Sequence, residues 1–290
     1  MKRIHIIRNG KSPKNTQFQN LVMHLLEHGH SVSLHSTTGP GDATREASLR
    51  CREQDVDLII SFGGDGTLHE VINGIMPSEK HIPISIYGGG TQNDLARSIG
   101  IPDDEEEYAK MITRFEEHAI DVGKANDSYF INVLACGSIS SVAHKANQNL
   151  KGALGPIAYY MEGLRQVSPG KISKQRIKIE SPDFSYEGEY FLFMIANSTS
   201  VGGFRKINPG ATIDDGVYNV TLIKRTPASA VIEILMGVTD GSHVDCDEVE
   251  YFETSKLKVT TMDEFDVDGE AFEGDSIDVE VLEKALTIIY

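Results

Sequence analysis

A glycine-rich turn that closes an apolar run and opens a helical one occurs twice in this chain, and the repetition leaves few folds open. The first is Ser61-Phe62-Gly63-Gly64-Asp65-Gly66-Thr67, the second Tyr87-Gly88-Gly89-Gly90-Thr91-Gln92-Asn93-Asp94. Each follows an apolar segment, Val56 to Phe62 and then Ile82 to Tyr87. Each leads into residues at helical spacing. Strand, helix and strand in succession make a βαβ unit, which demands a parallel sheet with right-handed crossovers.

The same rhythm starts at the N-terminus. Arg3 to Arg8 reads as a strand, Phe18, Leu21, Val22, Leu25 and Leu26 as one face of a helix, and Ser31 to Ser36 as the next strand. From about Tyr129 longer alternating runs take over, such as Tyr186 to Ala196, Val217 to Ile223 and Leu257 to Thr261. Helical spacing interrupts them near Gly155 to Val167 and Ala228 to Val238, and the chain closes on the apolar run Leu286 to Tyr290. The expected fold class is α/β. A Rossmann-like parallel domain spans residues 1–124 and a mostly antiparallel, sandwich-like β domain spans 125–290. The last element is expected to pack back on the first domain, and the active site to lie in the inter-domain cleft.

Charge narrows the partners. Asp and Glu number 43 against 27 Lys and Arg, a formal net charge of −16. Such a surface repels a phosphate backbone, so nucleic acid is not expected as a ligand. Tight docking on an anionic bilayer is disfavoured for the same reason. The basic run Lys171, Lys174, Arg176 and Lys178 reads as a solvated strand face. The N-terminal apolar run is too short for a signal peptide and no later stretch approaches a membrane span, so a cytoplasmic protein is expected. Cys51, Cys136 and Cys246 show neither a CxxC pair nor a nearby histidine. They suggest no disulfide framework or zinc site. His69 is expected to face solvent.

The glycine turns carry the chemistry. Glycines admit positive φ and let an anion approach the main chain, and the helix that comes after offers unpaired N–H groups and a partial positive charge. Phosphate is the natural guest. An Asp inside a phosphate loop repels the ligand unless a cation or its waters bridge the two, which is what Asp65 suggests. Glycines used for turn geometry alone remain an alternative at this stage. Asn93 and Asp94 bring polar groups to the second loop and also suit the cap of a helix starting near Leu95.

The string GGDGTLHEVING (Gly63 to Gly74) followed by GTQNDLAR (Gly90 to Arg97) resembles the diacylglycerol kinase catalytic-domain family, especially its soluble bacterial lipid kinases. The likeness continues through Ile120-Asp121-Val122-Gly123, Tyr129 to Val133, Gly155 to Tyr160, Ala196-Asn197, Gly202-Gly203, Pro209 to Ala211, Asp214 to Gly216 and Val267-Asp268-Gly269-Glu270. It therefore covers nearly the whole chain in order. One departure concerns Asn9-Gly10-Lys11-Ser12-Pro13, where the family usually reads Asn-Pro-x-Ser-Gly. Asn9 and Ser12 stay in register while Pro and Gly shift.

The resemblance implies an ATP- and Mg²⁺-dependent kinase acting on a lipid hydroxyl, with transient contact at the membrane surface; a homodimer is compatible with it. Nucleotide contacts carried over are Asn9, Ser12, Thr37, Gly63, Gly64, Asp65, Gly66, Thr67, Glu70, Thr91 and Asn93. Asp65, Asp94 and Asp121 match the acidic trio linked to Mg²⁺ partly through water. Asp215, with the carbonyls of Thr212 and Val217, matches a second, structural metal site; a plain turn is the alternative. Glu270 is the expected general base and Asp268 the close second, the two side chains pointing in similar directions if the segment is extended. Without the resemblance, the acidic stretch Asp263 to Asp275 would read as a solvated loop. Two rivals stand beside the lipid kinase: an NAD kinase-like or other small-molecule kinase sharing the GGDGT device, and a nucleotide-binding regulator without catalysis.

Overall fold

Runs of β-branched residues buried on both faces suit a parallel sheet covered by helices, and three of the first four strands are of this kind. β1 (Arg3–Arg8) is followed by α1 (Asn15–Glu27), β2 (Ser31–Ser36), α2 (Asp42–Glu53), β3 (Leu58–Gly63), α3 (Asp65–Ile75), β4 (Ile84–Gly88), α4 (Asp94–Ser98) and α5 (Glu105–Arg114). The computed structural model describes residues 1–13, 15–88, 94–137, 175–201, 204, 206–272 and 274–290. The chain divides into two units, residues 1–122, 128–131 and 282–290 in one and 123–127 and 132–281 in the other.

In the first unit β1 pairs in parallel with both β2 and β3, and β3 with β4. The order is thus β2-β1-β3-β4, so the chain changes direction across the sheet between β1 and β3. That is the topological switch point, the place where open α/β sheets leave a crevice at their carboxyl ends. The helices bury Phe18, Leu21, Leu25, Tyr108 and Ile112 against Ile4, Ile6, Leu58, Ile60, Phe62 and Tyr87. Phe62 stacks on Tyr87 at 5.2 Å, and Tyr87 meets Tyr108 edge-on at 4.8 Å. Burying these aromatic rings, each worth on the order of 2–3 kcal/mol, anchors the ends of β3 and β4 from beneath. Gly74 lets α2 approach α3 closely, since a Cβ there would lie 2.4 Å from the Thr44 carbonyl oxygen.

The remaining strands are β5 (Glu117–Ala125), β6 (Ser128–Phe130), β7 (Val133–Gly137), β8 (Arg176–Glu180), β9 (Ser185–Ala196) and β10 (Tyr218–Lys224). After α6 (Ala228–Gly237) come β11 (Val249–Thr254), β12 (Lys256–Thr261), β13 (Phe265–Val267), β14 (Glu270–Phe272) and β15 (Ser276–Ile289). Among the described residues the ladders of the second unit are antiparallel. β9 pairs with β8 over its first half and with β7 and β10 over its second. Strands β12 and β8, β12 and β15, and β13 with both β7 and β14 complete it. Val231, Ile234 and Leu235 of α6 pack on Phe191, Met194, Ile223 and Val249. The fold class is therefore the expected mixed α/β arrangement, a parallel N-terminal sheet followed by antiparallel strands.

One expectation changes. The closing run Leu286 to Tyr290 belongs to a 14-residue strand, β15, that pairs antiparallel with β12 early and parallel with β4 at Ile288. Its first half carries Asp278 and Glu280 on the exposed face, which hides the strand from a search for apolar runs. The helix expected near Gly155 to Val167 lies outside the described residues.

Candidate active site

The ends of β1, β2 and β3 are drawn together by main-chain bonds. The Asn9 N–H donates to the Phe62 carbonyl at 3.0 Å, and the Thr37 N–H to the Arg8 carbonyl at 2.8 Å. The Gly10 N–H reaches the Thr37 hydroxyl at 3.2 Å, and Asn9 Nδ2 lies 3.4 Å from Thr67 Oγ1. Asn9, Gly10, Thr37 and Thr67 thus meet at the switch point. A Cβ on Gly63 would sit 2.5 Å from Thr67 Oγ1, and one on Gly10 would sit 2.1 Å from the Thr37 carbonyl oxygen. Those distances account for the sequence departure at Gly10, because any side chain there, proline included, would strike Thr37. Ser12 stays attached through its own carbonyl, which accepts from Arg8 Nη2 at 3.2 Å.

α3 begins at Asp65 with Gly64 as its cap, and no side chain caps this end. The Thr67 N–H turns back to the Gly64 carbonyl at 3.0 Å, and the partial positive charge of the helix start favours an anion. Asp94 opens α4 and is buried, and Asp121 on β5 is fully buried with Oδ1 accepting the Lys284 N–H at 2.7 Å. Among the described residues no three His, Cys, Asp or Glu side chains converge closely enough to hold a metal ion directly. Thr91 and Asn93 lie outside the described residues.

Glu70 is engaged within the fold. Its two carboxylate oxygens accept the N–H groups of Gly41 at 2.9 Å and Ala43 at 3.0 Å, so it caps α2 from the neighbouring helix. Asp42, which sequence reasoning missed, fastens the same loop. Thr38 donates its N–H at 2.7 Å and its hydroxyl at 2.9 Å to Asp42 Oδ2, which holds that carboxyl down to about 2. Asn73, also missed, reads both sides of the Tyr129 peptide, donating to its carbonyl at 2.8 Å and accepting its N–H at 2.9 Å. His69, expected in solvent, is half-buried, with Nε2 lying 3.3 Å from Asn73 Nδ2.

The Asp268–Glu270 segment is not extended. Asp268 and Gly269 have φ of 52° and 91°, and Val267 pairs with Glu270 across them. Positive φ at both central positions defines the tight hairpin turn that Asp-Gly favours. The two carboxylates consequently point apart. Asp268 is buried and its Oδ1 accepts the N–H groups of Asn132 at 3.1 Å and Val133 at 2.8 Å. Glu270 stands exposed on the far side of the turn. Asp266 closes the turn by accepting the Gly269 N–H at 2.7 Å. Asp215 forms a turn of its own, accepting from the Thr212 hydroxyl and from the Val217 N–H, the latter at 3.1 Å.

Comparison with known proteins agrees with this arrangement. Residues 3–125 match the family described as diacylglycerol kinase catalytic domain, and residues 132–290 match the YegS C-terminal NAD kinase beta sandwich-like domain. A diacylglycerol kinase of Bacillus subtilis (strain 168) is 32% identical over 279 residues, covering 93% of this chain and 90% of the relative. One of Staphylococcus saprophyticus is 33% identical, covering 93% and 89%. A crystal structure of a diacylglycerol kinase from Bacillus anthracis superposes with a TM-score of 0.80 at 29% identity, covering 99% of this chain and 96% of that one.

Proposed function

The chain belongs to the diacylglycerol kinase family, and from that premise we propose that it transfers the γ-phosphoryl group of ATP to a hydroxyl of a diacylglycerol-like lipid. The observation that carries the reading is the glycine-lined switch point. There Asn9, Thr37 and Thr67 surround main-chain positions that a Cβ would fill, and an uncapped helix starts beside them. Phosphoryl transfer asks mainly for positioning and charge neutralisation, and this edge is suited to both.

Each residue then has a task. The N–H groups at the start of α3 bind phosphate oxygens, with Thr67 and Asn9 fixing the loop that presents them. Asp65, Asp94 and Asp121 take the waters of Mg²⁺, which when bound neutralises charge on the transferring phosphate. Glu270, exposed on its turn, accepts the proton of the lipid hydroxyl as the new O–P bond forms and the bond to ADP breaks. Asp268 is tied to two main-chain N–H groups, so it shapes the turn and leaves the base role to Glu270. Glu70 keeps the α2 loop in place instead of touching nucleotide. Among the described residues no helix is long and apolar enough to cross a membrane, in keeping with transient contact at the lipid surface.

Purified protein incubated with labelled ATP, Mg²⁺ and a panel of lipids in detergent micelles tests the proposal. Label is expected in a lipid product. Label in NAD or a sugar phosphate, with none in lipid, would assign the chain to a different substrate class.

A further inference from the structure

The second unit buries a carboxylate that the proposed chemistry does not use. Between β12 and β13 the chain passes from Met262, 83% exposed, to Asp263, 9% exposed. Asp263 Oδ2 accepts from the Tyr190 hydroxyl of β9 at 2.5 Å. That phenol oxygen also lies 3.2 Å from Thr261 Oγ1 and 3.4 Å from Cys136 Sγ. Thr261 in turn donates to the Arg176 carbonyl at 3.0 Å, and the Asp263 N–H reaches Thr261 Oγ1 at 3.3 Å. Four strands, β7, β8, β9 and β12, thus meet at one corner through the Tyr190 and Thr261 hydroxyls, and the carboxylate holds the first of these. The titratable groups facing it are Tyr190 and Cys136; the Arg176 guanidinium turns away to Glu187 at 3.4 Å.

A corner needs a hydrogen-bond acceptor and does not need a charge. Asparagine would serve with a smaller penalty, since a buried carboxylate without a cation beside it is disfavoured by desolvation. Burial raises the Asp263 carboxyl above its ordinary range, with the Tyr190 bond opposing that rise. The strand beyond the corner gives the carboxylate a purpose. β13 starts two residues later, pairs Phe265 with Cys136 and Val267 with Leu134, and ends at the Asp268–Gly269 turn that presents Glu270. Three residues of strand span only about 10 Å, so a shift at the corner is delivered to the turn.

We propose that Asp263, acting through Tyr190, is a positioning residue for Glu270, which rests on the assignment of Glu270 as the base. Ionised Asp263 fixes the Tyr190 hydroxyl and with it the start of the hairpin.

Asp263→Asn and Tyr190→Phe test this in three readouts. Turnover should fall about 10-fold in each while the KM for ATP is unchanged, as for loss of an orienting contact. The ratio of parent to Asp263→Asn kcat should narrow as pH falls, because protonation of Asp263 removes the same charge. The sign for stability is opposite to that of an ordinary anchor. A carboxyl raised in the folded state favours folding below its ordinary range and loses that favour as pH rises through its folded value. Asp263→Asn should therefore melt no lower than the parent at pH 8. Parent-like kcat in both variants at every pH, or a kcat loss that tracks a lowered melting temperature, overturns the assignment. Hydrogen exchange over residues 264–272, expected to quicken in Tyr190→Phe, separates the two ideas. Quickened exchange in a protein that phosphorylates no lipid sinks the kinase reading and keeps the anchor, whereas unchanged exchange sinks the anchor.

Discussion

The switch point of the first unit and the hairpin turn of the second solve their tasks with opposite materials. At Gly63 to Thr67 the proposed working groups are main-chain N–H donors, and the packing leaves no room for side chains beside them: a Cβ at Gly63 or Gly10 would collide with Thr67 or Thr37. At Asp266 to Glu270 the main chain is consumed by the turn itself, and carboxylates do the work. Asp266 and Asp268 accept backbone N–H groups while Glu270 is left exposed. A main-chain device tolerates no added bulk and is little affected by side-chain charge. A side-chain device tolerates bulk and fails when one charge is removed.

Adding bulk to the first region is the strongest way to break that contrast. Gly66→Val should obstruct the phosphate approach and weaken ATP binding at least 100-fold, since roughly two charge-assisted bonds of about 1.5–3 kcal/mol each are forfeited. Calorimetry checks it, and parent-like affinity would misplace the cradle. In the second region, Asp268→Asn keeps an oxygen for the two N–H groups and removes the charge that strengthens both bonds. A loss of about 1–3 kcal/mol in denaturant unfolding is expected, with ATP affinity intact. Weakened ATP binding would move this turn to the metal site.

Smaller effects sharpen the comparison by testing carboxylates that sit in the first region yet act structurally. Glu70→Gln should cost about 1 kcal/mol of stability through the α2 cap, with only a minor change in ATP affinity. A large affinity loss without destabilisation would restore Glu70 as a nucleotide ligand. Asp42 is held to about 2 by Thr38, below the ordinary carboxylate range. Its contribution is present above about pH 4 and is lost as pH falls toward 2. Asp42→Asn should therefore flatten the acid side of the stability curve in that window and leave neutral pH turnover near the parent value.

How far each region could be read in advance depends on the same contrast. Glycines between an apolar run and a helical pattern are the signal for the proposed phosphate loop, and β1, β3 and β4 lie where their β-branched content places them. The hairpin misleads because Asp268 and Glu270 are two apart, a spacing that aligns side chains only in extended chain. The Asp-Gly pair between Val267 and Glu270 is the signal for a turn with positive φ. Glu70 reads as part of its loop, and nothing in the local string announces that its partners are Gly41 and Ala43. Asp42 and Asn73 work by contacts to main chain outside their own helices, for which sequence spacing offers no marker.

The account stands most directly on Glu270→Gln, assayed for ATP affinity and for single-turnover phosphoryl transfer to a lipid substrate on one preparation. It predicts ATP binding like that of the parent and transfer slowed about 100-fold or more. Transfer at the parental rate would contradict it, because the proton of the lipid hydroxyl would then be taken elsewhere.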